Sequence, residues 1–387
     1  MVAPVYLDYN ATTPVAPEVA DAIEPFLREH YGNASSAHPY GRRAAEAVAA
    51  ARAEVAALVG ATDGEIVFTG CATEANNLAV CGVARALAPA GKRHLVISSV
   101  EHPAVQAPAA HLHETGWQVS VVAVDGYGRV DPEAVAAAVR ADTALVSIMH
   151  ANNEIGTIQP IAEIARRVRP RGALVHTDAA QSPGKIPVRV DALDVDLLTL
   201  AGHKFYATKG VGALYVRRGT PIAPVLFGAG QEHGLRPGTE NVPAIVGLGA
   251  AARLAAERIA EAVPRMQRLR DRLHALLEGG VPGLRLNGHP LDRLPNTLNV
   301  SFPDVAGEAL LAAAGTEVAA SVGSACHAGS HAPSGVLAAL GADLARAVGA
   351  VRLSVGAYTT DAEIERAAQA LVAAWQRLPR AERRSAA

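Results

Sequence analysis

The sequence predicts an α/β fold: a mostly parallel sheet with helices on both faces, followed by a smaller α+β domain. Three observations lead there. Between residues 65 and 216, short β-branched or apolar runs alternate with helical stretches, the order that builds a parallel sheet. After Pro243 this gives way to one long Ala/Arg/Glu helix and then to mixed short strands and helices. At 387 residues the chain also exceeds one usual core and should divide into about two domains. The expected division gives residues 15–255 to the large domain, and 1–14 with 256–387 to the small one.

In chain order, residues 1–14 lack helical periodicity and hold Asn10, Thr12, Thr13 and Pro14, so they read as an extended arm joining the second domain. A helix is expected over 17–29. Residues 32–39 are small and polar, which suits a connector. The Ala-rich segment 42–59, dotted with Arg and Glu, reads as a helix stopped by Gly60. Then come a strand at 66–68, a helix from about 73, a strand at 95–97, and a helix started by Pro103 that reaches about 115. A strand at 119–124 precedes a helix opened by Asp131 as N-cap and Pro132 in its first turn. Residues 145–149 read as a strand and 161–169 as a helix. Strands at 173–175, 195–200 and 212–216 complete the sheet. The long helix should cover 244–277, break near Pro264 and end at Gly279 and Gly280. Beyond it, strands are expected at 284–286, 297–300 and 351–354, helices at 308–313 and 361–378, and a Gly/Ser/His loop at 322–335. There is no internal repeat, and the abundant alanine falls in helices, where it is the best helix former.

Composition narrows the function. Half of the residues are hydrophobic, the net charge is −2, and no polybasic tract appears, so nothing points to nucleic acid or to an anionic membrane surface. The N-terminus lacks the basic and apolar regions of a secretory signal, and no uncharged apolar run approaches the ~18 residues of a membrane span. The cysteines, Cys71, Cys81 and Cys326, lack metal-ligand spacing, so no metal site is expected. Three sparse thiols fit a reduced cytoplasm better than a disulfide scaffold. The expectation is a soluble cytoplasmic enzyme.

Candidate site residues follow the strands. The runs at 173–175 and 195–200 are long enough for buried strands and too short for helices. The first delivers Asp178 and Gln181 past its carboxyl end; the second delivers His203 and Lys204. Ligands of open α/β sheets sit at that end. A carboxylate and a lysine there suit pyridoxal 5′-phosphate (PLP), which uses a Schiff-base lysine and an Asp partner for its pyridine nitrogen. The alternative is a surface Asp and a surface Lys closing two core strands. The turn Thr69, Gly70, Cys71, Ala72, Thr73, Glu74 joins a strand to a helix, where backbone N–H groups can meet a phosphate. His102 could stack on a ring, and Asn153 could donate to its hydroxyl; each is also an ordinary loop residue. Arg352, in an otherwise apolar strand, is either a structural ion pair or a carboxylate clamp. Cys326 lies in a Gly/Ser/His loop beside His327 and His331, whose charge could raise its thiolate fraction. Cys81 reads as core.

Ten ordered stretches extend the pattern over nearly the whole chain: YLDYNATTP at 6–14, GNASSAH at 32–38, ATEANN at 72–77, Glu101-His102, NNEIG at 152–156, HTDAAQ at 176–181, GHK at 202–204, RPGTEN at 236–241, LPNT at 294–297 and GSAC at 323–326, with Arg352-Leu353-Ser354 closing the set. Together they resemble the cysteine desulfurases and selenocysteine lyases, class V aminotransferases of PLP fold type I. The resemblance implies a PLP-binding large domain and a small domain carrying the catalytic cysteine. It assigns Lys204 to the Schiff base, Asp178 to the pyridine nitrogen and His102 to ring stacking. Ala72, Thr73 and His203 would hold the phosphate, and Asn153 and Gln181 the ring hydroxyl. Thr239 would reach the phosphate of a second subunit in a homodimer. Asn33 and Arg352 would hold the substrate carboxylate, and Cys326 would accept sulfur.

Three departures bear on the outcome. Gly70-Cys71 stands where many relatives have Ser-Gly, putting a thiol near the cofactor. Ala201 replaces a phosphate-binding serine of many desulfurases; it and His327 after Cys326 are similar to the selenocysteine lyases. The chain also ends soon after its last helix, without the long tail with which housekeeping desulfurases dock a scaffold. The expected reaction converts L-cysteine to L-alanine and a Cys326 persulfide, for iron–sulfur clusters or other sulfur-containing products, through an acceptor protein that the sequence does not name. Release of selenium from L-selenocysteine is the alternative.

Overall fold

The computed structural model describes residues 3–323 and 334–379. Cys326, with His327 and His331, lies outside the described residues. Among the described residues the arm carries a short strand, β1 (Val5–Tyr6), and seven further strands build the large sheet. These are β2 (Ile66–Thr69), β3 (His94–Ser98), β4 (Gln118–Val122), β5 (Thr143–Ser147), β6 (Leu174–Asp178), β7 (Leu197–Ala201) and β8 (Gly212–Val216). Their order is β2-β8-β7-β6-β5-β3-β4. All neighbours run parallel except that β8 is antiparallel to both β2 and β7. The sheet is α/β and mostly parallel, as expected. β3, β5, β6 and β7 therefore present their carboxyl ends along one edge.

Local signals set the helix ends. His38 caps Pro39–Val59 by accepting from the Gly41 N–H, and Gly60 stops it at φ 74°, a left-handed conformation that glycine adopts cheaply. Asp131 caps Pro132–Ala138 through the Glu133 N–H. Thr360 and Glu363 form a reciprocal capping box before Asp361–Arg377.

The expected break at Pro264 does not occur: one helix spans Val242–Gly280. Its first part buries Ile245, Leu248 and Ala252 in the core under the large sheet, and its later part buries Leu269, Leu273 and Leu277 in a second core. Burial on both sides of Pro264 holds the two parts in one helix despite the ~3 kcal/mol that an interior proline costs. The boundary expected at 255/256 thus falls inside a continuous helix.

The second core gathers around an antiparallel sheet of β9 (Arg285–Asn287), β10 (Thr297–Ser301) and β12 (Ala350–Ser354), ordered β12-β10-β9. The arm joins it: β1 pairs in parallel with β11 (Val318–Ala319), and Val5 and Leu7 are buried there. Both pairing strands are two residues long, too short for a periodicity signal. The loop expected over 322–335 ends earlier, because Ser334 caps a helix at Gly335–Ala339.

Candidate active site

Five strand ends and the N-terminal arm meet at a cavity of about 280 Å³. Asp178 is the last residue of β6 rather than a residue beyond it, and is 5% exposed. Lys204 and His203 occupy the single turn Gly202–Lys204 that follows β7. His102 caps Pro103–Glu114 just after β3, and Asn153 follows β5. Ala72 and Thr73 open the helix Ala72–Leu87 after β2. All of these residues line the cavity, together with Gln181, Arg352, Ala201 and Cys71.

The hydrogen bonds fix the chemistry of each wall. Asp178 accepts from the Ala180 N–H at 2.9 Å and from Asn76 Nδ2 at 2.7 Å. Among the described residues no cation forms an ion pair with it. A buried carboxylate without a cationic mate calls for one from the cavity, and a protonated pyridine nitrogen supplies it. The donor set at the other end suits a phosphate: the Thr73 hydroxyl, His203 and the free N–H groups of a helix start. The residues therefore fit PLP.

Lys204 Nζ donates to the carbonyls of Asn10 and Ala11, at 2.6 and 2.7 Å, so the arm holds the amine at the cavity wall. His102 Nδ1 accepts from the Ala104 N–H at 3.1 Å, which places the proton of the neutral ring on Nε2. Burial lowers its pKa, and the charge of Lys204 adds to this against the opposing pull of Asp178. His203 is pushed down to about 4, by burial first and then by Lys204, Lys209 and Lys185. Both imidazoles are therefore neutral near pH 7.

Arg352 lies in β12 at 2% exposure, and its guanidinium forms the structural ion pair, one of the two readings that its strand position left open. It pairs with Asp8 Oδ1 at 2.8 Å and donates to the Asn153 carbonyl at 3.0 Å, while also lining the cavity. Its Nε has no acceptor among the described residues.

Two expected residues are not brought to the cavity wall. Asn33 is exposed, with Oδ1 accepting from the Ser35 N–H. Thr239 lines a separate depression of about 110 Å³ beside Gly70, Arg236 and Glu240. Glu74 also alters the phosphate turn: it accepts from the Gly70 N–H at 2.8 Å and pairs with Arg236 at 2.8 Å. That amide is thus spent on a carboxylate. Cys71 is exposed at the start of the helix, with no side-chain cap bond, and Cys81 is only half-buried. No cluster of metal-ligating residues occurs among the described residues.

Three neighbours carry no expectation from the sequence. Asn10 binds Lys204 and Gln181 through its backbone carbonyl, so no side-chain type could signal it. Lys185 is buried and donates to Gln181 Oε1 at 3.1 Å. Asn76 lies one helical turn past Ala72, inside the ATEANN stretch that carries part of the resemblance, but no role is attached to it there.

The class-V aminotransferase family model matches residues 5–367. The chain is similar to a protein named cysteine desulfurase from Trichormus azollae, at 47% identity over 97% of this chain and 93% of the relative. Among solved structures it resembles a NifS-like protein, with a TM-score of 0.91, 39% identity, and 97% and 100% of the two chains covered. It also resembles SspA in complex with cysteine, with a TM-score of 0.81, 36% identity, and 92% and 99% covered. The chain belongs to the class-V aminotransferase family, in the group of the cysteine desulfurases.

Proposed function

We propose that this protein is a PLP-dependent cysteine desulfurase that converts L-cysteine to L-alanine and leaves the sulfur on Cys326 as a persulfide. The observation that carries this reading is the buried Asp178 carboxylate, without an ion-pair partner among the described residues, sharing one cavity with Lys204, His102 and Thr73. Bound there, PLP supplies an electron sink for the charge that develops at the substrate Cα.

The residues divide the remaining work. Asp178 keeps a proton on the ring nitrogen, and His102 packs against the ring. Lys204 holds PLP and carries the proton to and from Cα, its amine aimed by the two arm carbonyls. Asn153 and Gln181 serve the ring hydroxyl, and Ala72, Thr73 and His203 the phosphate. Arg352 binds the substrate carboxylate with a guanidinium already set by Asp8. Cys326 Sγ attacks the substrate sulfur; the C–S bond breaks, an S–S bond forms, and protons return to give alanine and the persulfide.

Thr239, away from the cavity of its own chain, suits contact with the phosphate of a second subunit in a homodimer. Asn33 joins the substrate pocket in the same reading. We further take residues 15–255 as the PLP-binding unit and 1–14 with 256–387 as the unit bearing Cys326, in a cytoplasmic protein that passes sulfur to iron–sulfur clusters or another product through an acceptor protein. No helix among the described residues is long and apolar enough to cross a membrane. The names of the relatives favour sulfur over the selenium alternative that Ala201 and His327 raised.

The test measures alanine released from L-cysteine by the wild type, Lys204→Ala and Cys326→Ala. Both variants should lose turnover, and Lys204→Ala should also lose the visible absorbance near ~420 nm that depends on a Schiff base. Wild-type rates in Cys326→Ala would overturn the role of the thiol; turnover in Lys204→Ala would overturn the cofactor.

A further inference from the structure

Asn76 is costly where it stands. It is 0% exposed, in a helix whose other buried residues include Ala75, Leu78, Ala79, Val80 and Val83. Asparagine is a poor interior helix residue, because its amide competes for backbone groups. Its neighbour Asn77 relieves this by donating to the Thr73 carbonyl. Asn76 does not. Its Nδ2 donates to Asp178 Oδ2 at 2.7 Å, and its Oδ1 is buried without a donor. The amide cannot be turned over, since a carboxylate only accepts and Oδ1 against Oδ2 would repel. Among the described residues the fold thus keeps a buried polar side chain with one end unsatisfied, and the only strong bond it gains is to the carboxylate on the cavity wall.

Resting on the function proposed above, we propose that Asn76 is a positioning residue that orients the Asp178 carboxylate toward the ring nitrogen of PLP. Two bonds define that orientation. The Ala180 N–H holds Oδ1 from the chain just after β6, and Asn76 holds Oδ2 from the helix after β2. With both fixed, the carboxylate cannot swing about its χ2 axis, and its remaining lone pairs are offered in one direction. Without Asn76, one oxygen is free to turn away. A charge-assisted bond of this kind is also one of the stronger hydrogen bonds a protein makes.

The test compares binding of PLP with binding of its 1-deaza analogue, in which a C–H replaces the ring nitrogen and Asp178 has nothing to meet. Dissociation constants are measured on the cofactor-stripped wild type and Asn76→Leu, which is close in size. The wild type should prefer PLP. Asn76→Leu should weaken PLP about tenfold, equivalent to about 1.4 kcal/mol, and leave the deaza analogue within about twofold. Equal weakening of both would mean that Asn76 only supports the fold, and unchanged PLP binding would mean that it does nothing for Asp178; either overturns the proposal. If Asn76→Leu does not fold, as judged by thermal unfolding, Asn76→Ser is read on the same two titrations. A wild type without any preference would instead overturn the pairing of Asp178 with the ring.

Discussion

Replacing Lys185 by methionine should stabilise the protein, and more so at low pH. Lys185 is buried beside the active site, donates among the described residues only to Gln181, and is pushed down to about 7 from 10.5 by burial and then by Lys204 and Arg352. A lysine lowered in the fold binds fewer protons there than in the unfolded chain between pH 7 and 10.5, so stability rises with pH across that window. At pH 6 keeping the ammonium buried costs about 5 kcal/mol, and at pH 9 giving up its proton on folding costs about 2 kcal/mol. Lys185→Met removes this cost and loses one hydrogen bond worth about 1 kcal/mol. The variant should therefore exceed the wild type by about 4 kcal/mol at pH 6, with the advantage shrinking by about 3 kcal/mol at pH 9. Urea unfolding of both proteins at the two pH values reads the difference directly. An advantage that stays constant or grows with pH would show that Lys185 does not carry a suppressed charge.

Two further perturbations test the electrostatics around the site. Glu101, beside His102, is fully buried and pushed up to about 8 by burial, so the folded chain keeps a proton that the unfolded chain gives up between pH 4.5 and 8. Stability falls as pH rises through that window; Glu101→Gln should flatten the fall, and parallel urea midpoints at pH 5 and 7.5 would refute it. Under the sheet, Arg52 grips Glu232 with bonds of 2.8 and 2.6 Å, and Glu232 also accepts from the Phe68 N–H. Arg52→Met strands that carboxylate and should cost about 3–5 kcal/mol by denaturant unfolding, with much of it recovered in Arg52→Met/Glu232→Leu; no recovery would place the loss in packing instead.

The sequence by itself determined the elements and the chemistry-bearing side chains. Strand runs, proline and aspartate helix starts and the Gly60 stop are local signals, and each strand's carboxyl end follows directly from chain direction. That is why Asp178, His102, His203 and Lys204 are legible in the sequence as one site. The tertiary structure decided what local signals do not carry. Burial on both sides of Pro264 overrode the break that proline favours. The arm's own carbonyls, which every residue type possesses, hold Lys204. The mate of Arg352 lies 344 positions away at Asp8, and the amide that holds Asp178 lies 102 positions away at Asn76. Such pairings depend on how the helices and the small sheet fold back over the strand ends, and hydrophobic periodicity specifies which face is buried without specifying which polar groups meet there.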